Sequence, residues 1–244
     1  HLVRRGAMAT KREIMLACLK QLSMVYGTAT NRYAEEKLYS MIDDALEYVF
    51  KLRFWDCFIK KVKTEVTNGY PIINNLNKVI REFNDIQTVM NNQSYPRELS
   101  KANISVIKPA YTGTVPMFYQ RSDISDKSFQ VVPPASGVSV WVIFRTLCKP
   151  EFYDKFAQGL DNIDPANRRF EYLPEDEIPF DDLAIRYRVC WQYMMLKMDN
   201  DKATQMYQGL FAERIAELEH SETNSTMSYE TGPQQSYQHG WWTE

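Results

Sequence analysis

The residues that carry most enzyme chemistry are scarce here. Only three histidines occur, His1, His220 and His239, all at a terminus or near the C-terminal end. The expected folded body therefore lacks the usual general base for a Ser or Cys nucleophile and the usual zinc ligand. One local cluster does hold acid–base groups: Glu175, Asp176, Glu177, Asp181 and Asp182. Paired carboxylates can divide the roles of acid and base when their surroundings push their pKa values apart. The plainer reading is a solvated approach to a helix, with Asp181 and Asp182 in Pro179-Phe180-Asp181-Asp182 as cap and first-turn acids, and the spacing favours it.

Other motifs fall short of a site. No Gly-x-x-x-x-Gly-Lys run exists to cradle a phosphate, and Asp199-Asn200-Asp201 matches a calcium loop for three residues only. Phe54, Trp55 and Phe58 beside Arg53, Lys60 and Lys61 suggest a base-stacking platform, yet so few cations favour core packing instead. Met194, Met195 and Met198 read as core filler. Cys18, Cys57, Cys148 and Cys190 are far apart in sequence with no Cys-x-x-Cys, as expected of small buried hydrophobes in a reducing compartment. No catalytic residue, metal or cofactor is assigned.

Bulk composition narrows the class. The 244 residues are 44% hydrophobic and 25% charged, ordinary values for a soluble globular chain and unlike collagenous, disordered or membrane sequences. A net charge of −2 with no Lys/Arg block argues against strong direct DNA binding. No apolar run is long enough to span a bilayer, and the N-terminal stretch lacks the apolar core of a secretory signal. Residues 1–7 precede a start-like Met8-Ala9-Thr10-Lys11 and are left out of the fold reading.

The elements that must position these residues follow from periodicity. Ile14, Cys18, Leu22 and Val25 recur at helical spacing over Lys11 to Tyr26, with Gly27 as stop; Tyr33, Leu38, Met41, Ile42, Ala45, Leu46, Val49 and Phe50 do so from Asn31 to Leu52. The middle turns β-rich. Residues 60 to 66 alternate before a turn at Asn68-Gly69-Tyr70-Pro71, and Val79 to Met90 fits helix or strand. Phe129 to Val132, a Pro-Pro-Ala-Ser-Gly corner and Val138 to Arg145 predict a hairpin, with Val115 to Gln120 as a strand at its edge. Phe152 to Leu160 suits a short helix broken by Asp164-Pro165. Leu183 opens a long helical run that includes Cys190, Met194, Met198, Tyr207, Leu210, Phe211, Ile215 and Leu218, broken near Asp199 to Asp201 and packing back on the first two helices.

The expected fold is α+β and mainly helical. Two N-terminal helices (8–56) and long C-terminal helices (175–220) form a helical bundle, a β-rich region (57–174) is inserted, and residues 221–244 form an extended C-terminal tail. That tail is polar, yet it carries Tyr229, Tyr237, Trp241 and Trp242. Four large aromatics without aliphatic support have something to bury only if a partner supplies the pocket.

This order of features, with Ile178-Pro179-Phe180-Asp181-Asp182-Leu183 leading into a long helix with Asp199-Asn200-Asp201 in its middle and a closing helix over Tyr207 to Glu219, resembles the head-to-tail adaptors of tailed phages. The tail tubular protein A type of short-tailed phages is the nearest group. Coverage runs from Lys11 to Ser221; Val189-Cys190-Trp191, where small residues are commoner, and the longer aromatic tail depart from the pattern. The resemblance implies a non-enzymatic virion subunit at the head-to-tail interface, assembled in the host cytoplasm. It implies a dodecameric homo-oligomeric ring under the portal protein, contact with a tail nozzle or tube protein, genomic DNA only as passing cargo, and no membrane. By position, 221–244 is then the portal-binding segment. Three other readings stay open: another virion ring or tail-completion protein, a carboxylate-dependent hydrolase using Glu175 to Asp182, and a host-derived interaction module.

Overall fold

The computed structural model describes residues 8–26, 32–67, 70–71, 79–81, 86–91, 100–101, 117–120, 129–132, 138–157, 168–197 and 201–230. The chain divides into two compact units, residues 1–52 with 172–244 and residues 53–171. Its class is α+β and mainly helical.

The first unit is helical. Helix α1 (Lys11–Tyr26) and helix α2 (Arg32–Leu52) are followed, after the second unit, by α4 (Asp182–Lys197) and α5 (Asp201–Glu230). Helices α1, α2 and α4 pack on one another, and α5 packs along α4. The apolar rows explain why: Ile14, Cys18 and Leu22 from α1, Leu38, Ile42, Ala45 and Val49 from α2, and Ile185, Val189, Cys190 and Met194 from α4 are all buried. Each row repeats every three or four residues, so it forms one stripe that must be covered. Helix α5 buries Ala203, Tyr207 and Phe211, and the Phe211 ring lies 6.0 Å from both Tyr48 and Trp191.

Helix α1 begins with a capping box. Thr10 Oγ1 accepts the Glu13 N–H at 3.2 Å, while Glu13 Oε2 accepts the Thr10 N–H at 2.8 Å. The next two N–H groups, on Lys11 and Arg12, donate to the carbonyls of Asp176 and Pro174 at 2.9 and 2.8 Å. The segment before α4 thus satisfies donors that a helix start leaves unpaired. Lys11 completes the joint: its buried ammonium pairs with Asp43 at 2.7 Å and donates to the Tyr172 carbonyl at 2.8 Å.

The second unit contains strands β1 (Ile59–Thr67), β2 (Tyr70–Pro71), β3 (Ile86–Asn91), β4 (Ser100–Lys101), β5 (Met117–Gln120), β6 (Phe129–Val132) and β7 (Val138–Arg145), then helix α3 (Pro150–Ala157). One sheet runs in the order β2-β1-β7-β3, the other β4-β5-β6. Strand β7 is antiparallel to β1 and β3, with Val62 opposite Val142 and Val142 opposite Val89. Alternation sends Val62, Val140, Val142 and Phe144 into one core with Val79, Ile80, Val89, Cys148 and Phe152. Tyr153 ties α3 to the sheet through its hydroxyl, which donates to the Lys61 carbonyl at 3.0 Å.

Three expectations need correction. Strands β6 and β7 have the expected limits but form no hairpin: β6 pairs with β5 in the smaller sheet, while β7 is a central strand of the larger. The Pro-Gly corner between them permits a sharp reversal but does not dictate pairing, and the Val140, Val142, Phe144 face finds its apolar complement on β1 and β3. The strand expected at an edge, β5, is the middle of its sheet. Finally, the chain from Ser221 is not extended at once; it continues α5 to Glu230. No Gly or Pro interrupts residues 210–231, and a helix already nucleated propagates through weakly helical residues at little cost.

Candidate functional site

The acidic cluster is taken up by structural work. Asp181 precedes α4, and its Oδ1 accepts the Ala184 N–H at 2.8 Å, which is N-cap geometry. Arg214 of α5 grips the same carboxylate through Nε at 3.1 Å and Nη2 at 2.6 Å, and also reaches Glu217 at 2.8 Å. Burial pushes the Asp181 carboxyl up, but the bonds from Arg214 and Ala184 and the charges of Arg214 and Arg186 together bring it below its ordinary value. The Arg214 guanidinium is correspondingly raised by its bonds to Asp181 and Glu217. Asp182 is the first helical residue rather than a cap, and it pairs with Arg186 one turn on at 2.8 Å. Glu175 meets Arg12 at 3.1 Å, and Asp176 Oδ2 accepts the Leu173 N–H at 2.6 Å. Glu177 forms a backbone bridge with Thr10. A general acid needs its pKa raised; the most buried member of this cluster has it lowered.

The aromatic platform separates in the fold. Trp55 and Phe58 are buried in the β-rich unit, whereas Phe54 stays 38% exposed beneath the Arg145 guanidinium, 4.6 Å from its ring centre. Met194 is buried as expected, Met195 is half exposed, and Met198 lies outside the described residues. Among the tail aromatics, Tyr229 falls on α5 and Tyr237, Trp241 and Trp242 lie outside the described residues.

Three arrangements escape the sequence. Cys18 and Cys190, distant in the chain, meet between α1 and α4: the Cys190 thiol beside Cys18, together with burial, holds the Cys18 thiol well above its usual range. Cys190 also donates to Gln21 Oε1 at 3.3 Å. Cys148 is pushed up to about 12 by burial, and Cys57 is only half-buried. The Arg188 guanidinium lies over two rings, 4.3 Å from Tyr48 and 4.4 Å from Trp191. On the sheet, Lys61 sits 4.0 Å and Lys63 5.8 Å from the Trp141 ring centre, and partial burial lowers the Lys61 pKa. The register could have found this last group, since Lys63 lies directly opposite Trp141, but only after β1 and β7 were known to pair.

Among the described residues, no cluster of His, Cys, Asp or Glu is placed to hold a metal ion, and no helix is long and apolar enough to cross a membrane. In comparisons with known proteins, no family model matches the chain and no curated protein matches it.

The reach of α5 bears on the tail. Arg214 meets Asp181 at the start of α4, and α5 continues to Glu230, roughly 24 Å further at about 1.5 Å per residue. The helix therefore runs on past the start of the helix it packs along.

Proposed function

We propose that this chain is a structural virion protein, a head-to-tail adaptor whose copies form a ring between portal and tail and leave a channel for DNA. In this reading, 8–56 and 175–220 make the helical bundle of the ring body and 57–174 is an inserted β-rich extension. The ring is taken as a dodecamer by resemblance. It contacts the portal protein on one side and a tail nozzle or tube protein on the other, with genomic DNA as passing cargo. The observation that carries the reading is the projection of α5 past the start of α4, followed in sequence by a polar segment bearing Tyr237, Trp241 and Trp242. Large aromatics anchor protein interfaces by filling a partner's pocket, and Tyr229, Tyr237, Trp241 and Trp242 are assigned that role against the portal.

The other virion ring and tail-completion roles use the same logic with a different neighbour. The hydrolase reading is weaker, because Asp181 is committed to Arg214 and the Ala184 N–H. Removal of residues 223–244, which carries off all four aromatics, tests the adaptor. The shortened chain keeps its helical circular dichroism and loses co-sedimentation with the portal ring of its own virion. Unchanged portal binding after that deletion would refute the tail assignment, and portal binding lost on W241A/W242A alone would narrow it to two side chains.

A further inference from the structure

The net charge of −2 conceals a division between the units. The helical unit, residues 1–52 and 172–244, has 13 Lys/Arg against 19 Asp/Glu, a net of −6; the β-rich unit, residues 53–171, has 16 against 12, a net of +4. Asymmetry of this kind points to a polyanionic partner for the basic part. The larger sheet shows where such a partner fits. With Val62, Val140, Val142 and Phe144 directed into the core, strand alternation puts Lys61, Lys63, Trp141, Ile143 and Arg145 on the opposite face. Lys61 and Lys63 stand roughly 7 Å apart along β1, two strand rises, with Trp141 directly opposite Lys63 and diagonal to Lys61. Arg145 lies on the same face with the exposed Phe54 under its guanidinium, and Lys63 is exposed.

We infer that this outward face of β1 and β7 binds single-stranded nucleic acid, with Lys61, Lys63 and Arg145 taking phosphates and Trp141 and Phe54 offering ring faces to bases. Cations alone would suit any polyanion. Cations interleaved with rings on an open sheet suit unstacked bases, because every base has a π face, whereas a duplex keeps its bases stacked and an acidic peptide has none. A lysine that leaves the Trp141 ring for a phosphate exchanges one favourable partner for another and exposes the ring for stacking. Binding at this face goes beyond the adaptor reading and does not depend on it.

Fluorescence anisotropy of a labelled oligothymidylate with the full-length chain provides the test. Wild type binds at low salt, and its affinity falls with rising salt. K61Q/K63Q weakens binding at least about tenfold and makes the log–log salt slope shallower by about 1.4, the share of two phosphate contacts on a single strand. W141L weakens it by about fivefold or more through lost stacking. The two lysine changes lie on the outward face, and unchanged circular dichroism verifies the fold. Absence of binding at low salt, or equal binding by wild type and K61Q/K63Q, overturns the inference. Equal competition by polyglutamate overturns it too and reassigns the face to an acidic protein. Portal co-sedimentation reads the α5 end of the chain, so either result here leaves that outcome separate.

Discussion

The two units are held together by different means. The helical unit is acidic and depends on apolar helix stripes reinforced by charged joints: Lys11 with Asp43 and the Tyr172 carbonyl, and Asp181 with Arg214 and the Ala184 N–H. The β-rich unit is basic, and its centre is an apolar cluster of Val62, Val89, Val140, Val142 and Phe144 between α3 and the sheet, with its cations stacked on rings. Charge and stabilising chemistry thus differ together. One unit spends its acids within its own helix joints, while the other displays its cations on a strand face.

Substitutions can break that comparison, beginning with the largest effect. Phe144→Ala empties the middle of the sheet core and costs about 4 kcal/mol, measured by urea denaturation. Hydrogen exchange then accelerates in β1, β3 and β7 while α1, α2 and α4 keep their protection; equal acceleration in both units would show that they unfold as one. Asp181→Ala costs about 3 kcal/mol by losing a cap and leaving Arg214, only 30% exposed, without its main partner. Asp181→Asn keeps the cap and loses the ion pair, so it falls between that variant and wild type.

Acid sharpens the same contrast. The Asp181 carboxyl is lowered in the folded state, so its contribution is complete above the unfolded value of about 4 and disappears as pH falls through the folded value. Denaturation followed through Trp191 loses this contribution below about pH 4, and Asp181→Asn flattens the decline. At the alkaline end, burial raises Tyr207 to about 12, so its contribution is full below about 10 and is lost between about 10 and 12. The smallest effect belongs to Glu175→Gln. Its pair with Arg12 is 74% and 59% exposed, and stability changes by less than about 0.5 kcal/mol.

Helical residues were legible from sequence to the extent that their periodicity was local. Ile14, Cys18 and Leu22 mark the buried side of α1, and Leu38, Ile42, Ala45 and Val49 that of α2, because the 3.6-residue repeat needs only near neighbours. The break at Asp199-Asn200-Asp201 corresponds to the change from α4 to α5. The Thr10 and Glu13 capping box is equally local, three residues apart. Strand limits were readable for β6 and β7, but pairing was not, since β1 and β7 are joined across some 70 residues and alternation names a face without naming its partner. The Cys18 and Cys190 contact and the Lys61, Trp141 and Lys63 group depend on that same long-range geometry. The charge division was hidden because opposite units nearly cancel in the sum.

In the proposed adaptor role, other subunits complete this chain. Sedimentation of the full-length protein with and without a phage portal ring measures that completion most directly. The adaptor account predicts a monomer or weak oligomer alone and a complex of fixed stoichiometry, one adaptor for each portal subunit, once the ring is added. A chain that sediments identically in both cases, at concentrations where portal rings are intact, would contradict it.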